Sequence, residues 1–324
     1  MRIVAAREVR TILTMPRAID LMRHAMTLVA RGQTQQPLRQ ALFLPDKSGL
    51  LGLMPGYTAQ PELLGIKVIS VFAKNFAAGL PSHQGVVLLF ETQHGAPIAM
   101  IDAREITAIR TAAATAVATE ALARRDAKTL VLFGYGEQAE THFEALTQVR
   151  SFERVLVWGR DLRKASAFAA KFGRAELPVE AIASAEDAAR KGDVICTLTA
   201  AIDPVLFGRW LAAGSHVNAV GAGTPAQAEL DTDAVKRCRM FADYKDSALA
   251  LGGEFLRAKA AGAVGDDHII GSIGDVLTGK VKGRSTAEEL TLFKSLGMAA
   301  EDLVAADFVL REAEQRGVGQ VVDW

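Results

Sequence analysis

The chain has 324 residues, half of them apolar and 23% charged, with 37 basic residues balanced by 37 acidic ones. That composition suits a globular protein with a sizeable core, in one large or two ordinary domains. No Lys/Arg cluster exceeds a few residues and no apolar run approaches the ~18 residues of a membrane span, which excludes a nucleic-acid footprint, an anionic-membrane patch and a transmembrane helix. Cys196 lies in an apolar run and Cys238 between arginines. Neither builds a metal or disulfide framework, so both read as reduced thiols. Arg7, Glu8 and Arg10 interrupt the N-terminal stretch, where an export signal needs an apolar run. A cytoplasmic protein is expected.

In chain order, residues 15–31 read as a helix, with Thr14 placed to cap it, Pro16 in its first turn and a stripe of Ile19, Met22, Met26 and Val29. Strands are expected at 37–44, 50–57, 64–72, 85–91 and 97–101, separated by hairpin-type breaks, hence a mainly antiparallel sheet. A long helix follows over about 103–124. Its middle, from Thr111 to Ala116, is all small residues, which invites close packing by a helix, a partner chain or a cofactor. From Lys128 strands and helices alternate, with strands at 129–133, 154–158, 194–199, 216–220 and 240–242, as in a parallel sheet covered on both faces. Residues 251–274 read as irregular and Gly-rich, 289–293 as a strand, and 299–316 as an amphipathic helix with Leu303, Val304, Phe308 and Leu310 apolar, stopped by Gly317. The fold class expected is α/β. Residues 1–115 with 298–324 would form a discontinuous α+β substrate-binding and dimerisation domain, and 116–297 a Rossmann-type domain.

The clearest local signal is residues 130–149. The apolar run Leu130 to Phe133 leads into Gly134-Tyr135-Gly136-Glu137-Gln138-Ala139, and then a helical stripe of Ala139, Phe143, Leu146 and Val149. This is the strand–turn–helix that cradles a dinucleotide pyrophosphate. Gly134 permits the tight turn, Gly136 lets backbone approach phosphate, Ala139 packs the helix close, and the helix N-terminus faces the anion. Glu137 and Gln138 sit on that turn and join the cofactor set, as does Val220 at the end of a later strand. A fold selective for NAD places an acid at the end of the second strand. Here Gly159 holds that place and Arg160 follows, whose guanidinium can pair with a 2′-phosphate. NADP(H) is therefore expected, with NAD(H) retained because Asp161 can instead reach the ribose.

The chain resembles the ornithine cyclodeaminase/μ-crystallin family over nearly its full length. The resemblance rests on Pro37-Leu38-Arg39, Gly52-Leu53-Met54-Pro55-Gly56-Tyr57, Leu64-Gly65-Ile66-Lys67-Val68-Ile69-Ser70 and Gly79-Leu80-Pro81-Ser82-His83-Gln84-Gly85. It is completed by Ile106-Thr107-Ala108-Ile109-Arg110-Thr111-Ala112-Ala113, by the Gly134 turn, and by Leu292-Phe293-Lys294-Ser295-Leu296-Gly297. It implies a homodimer with a Rossmann domain set between the two parts of a substrate domain. It also implies a small imino- or amino-acid substrate, with Arg39, Lys67 and Arg110 as the substrate-site cations. A carboxylate in a partly dry pocket needs such fixed positive charge. Without the resemblance, Lys67 reads as a surface lysine in a strand and Arg110 as an ordinary helix arginine. Thr111 suits helix packing as well as cofactor contact, and Ser295 is expected at the cofactor. His83 reads as a loop hydrogen bond; no residue spacing suggests a metal. One departure matters: where cyclodeaminases carry an Asp, this chain has Gly223, in Gly221-Ala222-Gly223-Thr224-Pro225. Oxidation of a free amine suffers most from that loss, and reduction of a preformed cyclic imine least. The resemblance thus implies an NAD(P)H-dependent cyclic ketimine reductase. The alternatives are an ornithine cyclodeaminase with bound NAD and a crystallin-like NADP-binding protein without turnover.

Overall fold

The structure, a computed structural model, describes residues 1–323. It begins with β1 (Arg2–Val4), α1 (Ala6–Ile12) and α2 (Met15–Ala30). The strands β2 (Thr34–Gln35), β3 (Gln40–Phe43), β4 (Leu50–Ala59), β5 (Glu62–Val71), β6 (His83–Phe90) and β7 (Pro97–Asp102) lead to the long α3 (Ala103–Leu122). Alternation then starts, with β8 (Thr129–Phe133), α4 (Glu137–Val149), β9 (Arg154–Trp158), α5 (Leu162–Phe172) and β10 (Val179–Ala181). It continues through α6 (Ala185–Lys191), β11 (Val194–Thr197), β12 (His216–Ala219), α7 (Thr232–Arg237), β13 (Arg239–Ala242) and α8 (Lys245–Leu251). After α9 (Gly253–Ala260), β14 (Ile269–Ser272), α10 (Ile273–Leu277) and β15 (Thr291–Lys294) come α11 (Ala299–Arg316) and β16 (Gln320–Val321). Among the described residues no helix is long and apolar enough to cross a membrane.

The chain divides into two compact units, one of Met1–Thr111 with the chain from Gly297 onward, the other Ala112–Leu296. The first change of unit falls inside α3; the sequence reading set it after Thr115.

In the first unit the strand order is β16-β1-β7-β6-β5-β4-β2, with β3 also on β4. The ladders from β2 to β7 are antiparallel, as their hairpin breaks require, whereas β1 runs parallel to β7. Strand alternation puts Met54 of β4, Leu63, Lys67 and Ile69 of β5, and Val87 and Leu89 of β6 in the interior. Over that face lies α11, whose Leu303 and Val304 are buried, each worth roughly 1.5–3 kcal/mol relative to exposure. It packs closely because β4 and β5 present glycine beneath it. A Cβ on Gly56 would lie 2.7 Å from Ala299 Cβ, and one on Gly65 2.7 Å from Leu303 Cδ2. Gly317, in the left-handed conformation at φ 65°, ends the helix. Thr14 stands at the N-cap of α2 as expected, but its side chain makes no capping bond.

The second unit is an all-parallel sheet in the order β10-β9-β8-β11-β12-β15-β13-β14. Leu130 and Leu132 of β8 join a core with Ala139, Phe143 and Leu146 of α4. Val131 and Phe133 join the opposite one with Ile195, Val217 and Phe255. Both faces are therefore covered, which is why these strands read as unbroken apolar runs. The segment 251–274 is not irregular: it holds α9 and β14. Phe255 and Ala258 anchor the helix, and Ile269 the strand.

Candidate active site

In the first unit, Lys67 is the largest fully buried side chain of β5, 2% exposed. Its neighbours Ile66 and Val68 point to the other face. Isolating an ammonium in a protein interior costs several kcal/mol unless it is paired. Here Nζ meets Asp302 Oδ2 of α11 at 2.7 Å and donates to Thr107 Oγ1 of α3 at 3.5 Å. Arg110, 4% exposed, donates from Nε to Asp302 Oδ1 at 3.0 Å and from Nη1 to Glu301 Oε2 at 2.8 Å. Two buried cations thus face two fully buried carboxylates, and Asp302 bridges Lys67 and Arg110. Burial and the adjoining Arg110 charge hold the Lys67 pKa down, at about 8, against the upward pull of Asp302 and Glu301. An ammonium poised near neutrality can release a proton that an ordinary lysine would keep.

Arg39 is half-buried just before β3; the ladder partner of Gln40 is Leu53, and the next residue of β4, Met54, is registered against Lys67. The cations expected from the sequence thus divide: Lys67 and Arg110 share Asp302, and Arg39 stands at the neighbouring strand. The reading from sequence missed Glu301 and Asp302. Acids in the first turn of a helix are explained by the helix dipole alone, and their partners lie 191 and 192 positions earlier in the chain. His83 accepts or donates at Nδ1 to Ser82 Oγ, 2.9 Å away, which is the local loop bond expected. Although His83 is exposed to solvent, partial desolvation and the charges of Lys67 and Arg110 push its pKa below the usual imidazole value.

In the second unit, the turn after β8 has the form the glycines suggested. Gly134 has φ 127°, and a Cβ there would lie 2.9 Å from Leu198 O. Gly136 is the N-cap of α4, with no side chain capping it and open space where a Cβ would point. The N-terminus of α4, the positive end of its dipole, thereby opens on this turn without a side chain over it, as an anion site requires. Glu137 is exposed on the first turn, and the buried Gln138 Oε1 has no hydrogen-bond partner among the described residues. Ala139 is fully buried against the sheet. The residues of this chain therefore fit a dinucleotide at the α4 N-terminus. The small residues in the second half of α3 serve packing: Thr115 Oγ1 lies 3.0 Å from Nε2 of the buried His142 on α4. Thr111, one residue after Arg110, is half-buried.

At the end of β9, a Cβ on Gly159 would lie 2.2 Å from the Tyr135 ring, so an acid there would have to displace that ring. Arg160 is exposed. Asp161 is the N-cap of α5, accepting from Arg163 N at 3.0 Å. Gly134, Gly159, Arg160 and Val220 all follow the carboxyl ends of parallel strands, where ligands of doubly wound sheets bind. Ser295, following β15, is 3% exposed and its Oγ donates to Asp243 Oδ2 at 3.4 Å. Gly223 N donates to Gln227 Oε1 at 3.2 Å. Also missed from sequence was a buried ionic cluster around Glu229. Its carboxylate accepts from Thr197, Thr199, Gly221 and Ala222, and burial pushes its pKa up against the pull of Lys294. The two free thiols, Cys196 and Cys238, are buried, which raises each to about 12. Among the described residues no group of His, Cys, Asp or Glu gathers as a metal site.

Known proteins resemble the chain over its length. The profile of the ornithine cyclodeaminase/mu-crystallin family matches residues 1–317. The ketimine reductase mu-crystallin of Mus musculus is 37% identical over 278 residues, 86% of this chain and 85% of that protein. The structure of Thermococcus litoralis Δ1-pyrroline-2-carboxylate reductase, in complex with NADH and L-proline, superposes with a TM-score of 0.96 at 32% identity, covering 99% of this chain and 100% of the other. An archaeal alanine dehydrogenase dimer with bound NAD gives 0.94 at 30% identity, covering 100% and 99%.

Proposed function

The chain belongs to the ornithine cyclodeaminase/mu-crystallin family, and on that premise we propose that it reduces a cyclic ketimine carboxylate at the expense of NAD(P)H. The substrate is Δ1-pyrroline-2-carboxylate, with Δ1-piperideine-2-carboxylate as a second, and the products are L-proline and L-pipecolate. The observation that carries the reading is the buried Lys67, kept charged by Asp302 and placed beside Arg110. The bound nicotinamide supplies hydride to the imine carbon. Lys67 gives its proton to the imine nitrogen, and Asp302 holds that ammonium in place. Arg39 and Arg110 take the carboxylate. Asp302 and Glu301 balance Lys67 and Arg110, so Arg39 supplies the positive charge left over for the substrate carboxylate, and the imine nitrogen takes its proton from Lys67.

Gly134, Gly136, Glu137, Gln138 and Ala139 would hold the pyrophosphate, and Thr111, Val220 and Ser295 are the further residues assigned to the cofactor. NADPH is preferred over NADH, because Gly159 leaves no acid to repel a 2′-phosphate and Arg160 is exposed to meet one. Gly223 places no carboxylate where an amine would need a base, which favours imine reduction over cyclodeamination. The protein acts as a homodimer. Its exposed apolar side chains Leu42 (69% exposed), Phe43 (53%) and Leu51 (37%) at the β3–β4 edge suit a second copy. Two unpaired buried thiols suit the cytoplasm.

The test is a paired assay: NADPH oxidation with each cyclic imine, and ammonia release from L-ornithine with NAD. Imine turnover without ornithine turnover is expected, and Lys67→Met should lower the imine rate by at least about 100-fold, the usual scale for a lost general acid. No imine turnover at high enzyme concentration would refute the proposal. Ammonia from ornithine would establish the cyclodeaminase, and tight cofactor binding without any turnover a binding protein. Sedimentation of the wild type and of Phe43→Asp tests the dimer.

A further inference from the structure

We propose that Glu229 is a positioning residue for the cofactor: its buried carboxylate ties together the loops after β11 and β12 and favours the oxidised, cationic nicotinamide over the reduced one. The inference rests on the reading of the second unit as a dinucleotide cradle.

Glu229 is fully buried. Its Oε1 accepts from Thr199 N at 2.6 Å and Thr199 Oγ1 at 2.7 Å. Its Oε2 accepts from Thr197 Oγ1 at 2.8 Å, Gly221 N at 2.7 Å and Ala222 N at 3.2 Å. Thr197 ends β11, and Gly221 and Ala222 lie just past β12, so one side chain closes both loops. Three of the donors are backbone amides, which can only donate; a proton on the carboxyl group would leave donor facing donor, so the ionised form is the one this shell is built for. The loops touch: a Cβ on Gly221 would lie 2.1 Å from Thr199 O.

Lys294, 1% exposed, donates to Ala222 O at 2.6 Å and pairs with Glu254 Oε2 at 3.1 Å. Glu254 Oε1 in turn accepts from Glu229 N at 3.2 Å. Ala222 is therefore gripped at its N–H by one buried ionic side chain and at its C=O by another. Lys294 pairs with Glu254 alone, so an ionised Glu229 leaves the cluster with one negative charge in excess behind the loops. Packing alone does not call for this, since apolar residues of similar volume usually serve stability as well as a buried ionic cluster. The sheet order reverses between β8 and β11, and ligands of such sheets bind beyond the strand ends at that reversal. A fixed anion there stabilises the positive charge that the nicotinamide ring gains as it gives up hydride.

The test measures dissociation constants for NADP+ and NADPH, by calorimetry and by NADPH fluorescence, with melting temperatures alongside. Wild type is measured first; if it binds neither form, the cradle reading itself fails, independently of any variant. Glu229→Gln should raise the NADP+ constant about tenfold more than the NADPH constant, the scale of one charge acting across a protein interior. Glu229→Asp keeps the charge but shortens the reach, and should weaken both forms alike with their ratio preserved. An unchanged ratio in Glu229→Gln overturns the proposal, as does an aspartate variant that shifts the ratio as far as glutamine does. Should the glutamine variant not fold, Thr199→Val decides. It removes one donor and leaves the carboxylate, so both constants should rise several-fold at a constant ratio; unchanged constants overturn the proposal.

Discussion

Replacing Asp302 by Asn tests the charged cluster directly. Asn keeps the shape of the side chain and removes one of two anions that balance Lys67 and Arg110 in a site where all four groups are at most 4% exposed. Removing one partner of a buried ion pair costs about 3–5 kcal/mol, because the other charge stays behind uncompensated. The variant should lose stability by that amount in urea unfolding at pH 7. Asp302 is also one of the groups that holds the Lys67 proton, with burial and Arg110 acting against it. In wild type, the rate of imine reduction should therefore fall as pH climbs past about 8. In Asp302→Asn the basic limb should move to lower pH by at least about one unit, as a lost neighbouring charge does. The assay is the initial rate of NADPH oxidation from about pH 6 to 9.5, which brackets that limb. A variant whose basic limb coincides with that of wild type would refute the assignment of Lys67 as the proton donor. Stability gives an independent reading. The folded-state pKa lies below the ordinary 10.5, so between about 8 and 10.5 the unfolded chain binds more protons, and this group makes stability rise with pH through that window. The gap is worth about 3 kcal/mol, and Lys67→Met should abolish the rise.

Three further outcomes are expected. Gly136→Ala has open space for its methyl group, so its melting temperature should stay within a degree or two of wild type while the dissociation constant for NADPH rises at least about tenfold; unchanged binding would remove that turn from the cofactor site. Arg160→Ala should raise KM for NADPH by roughly tenfold or more, the scale of a charge-assisted bond, and leave KM for NADH unaltered; equal effects on both would assign the arginine no part in cofactor choice. Because both thiols are buried and raised to about 12, Cys196 and Cys238 should resist alkylation at pH 8 in the native protein and react only on denaturation; rapid native labelling would contradict their placement.

Where a signal was local, the sequence carried it. β8 and α11 have the bounds that their apolar patterns suggested, and the Gly134 turn is readable because its strand, glycines and helix lie within about 20 residues. Lys67 was found only through its motif, since a lysine in an alternating strand otherwise reads as surface. Its partners were out of reach. Asp302 lies on a helix that pattern alone could place, but what that helix covers depends on Gly56 and Gly65, which pattern cannot connect to it. Glu229 followed the same logic: nothing near it in sequence announces five donors brought from two strand ends. β1 and β14 are three and four residues long, too short to show a period, and exist only because partner strands hydrogen-bond to them.

The pairing of Lys67 and Arg110 with acids on α11 also bears on synthesis. A ribosome delivers both cations long before it delivers residues 301 and 302, so the nascent sheet carries charge it cannot yet bury. A chain ending before α11 would lack both carboxylates that balance Lys67 and Arg110, leaving two cations with no buried counter-charge.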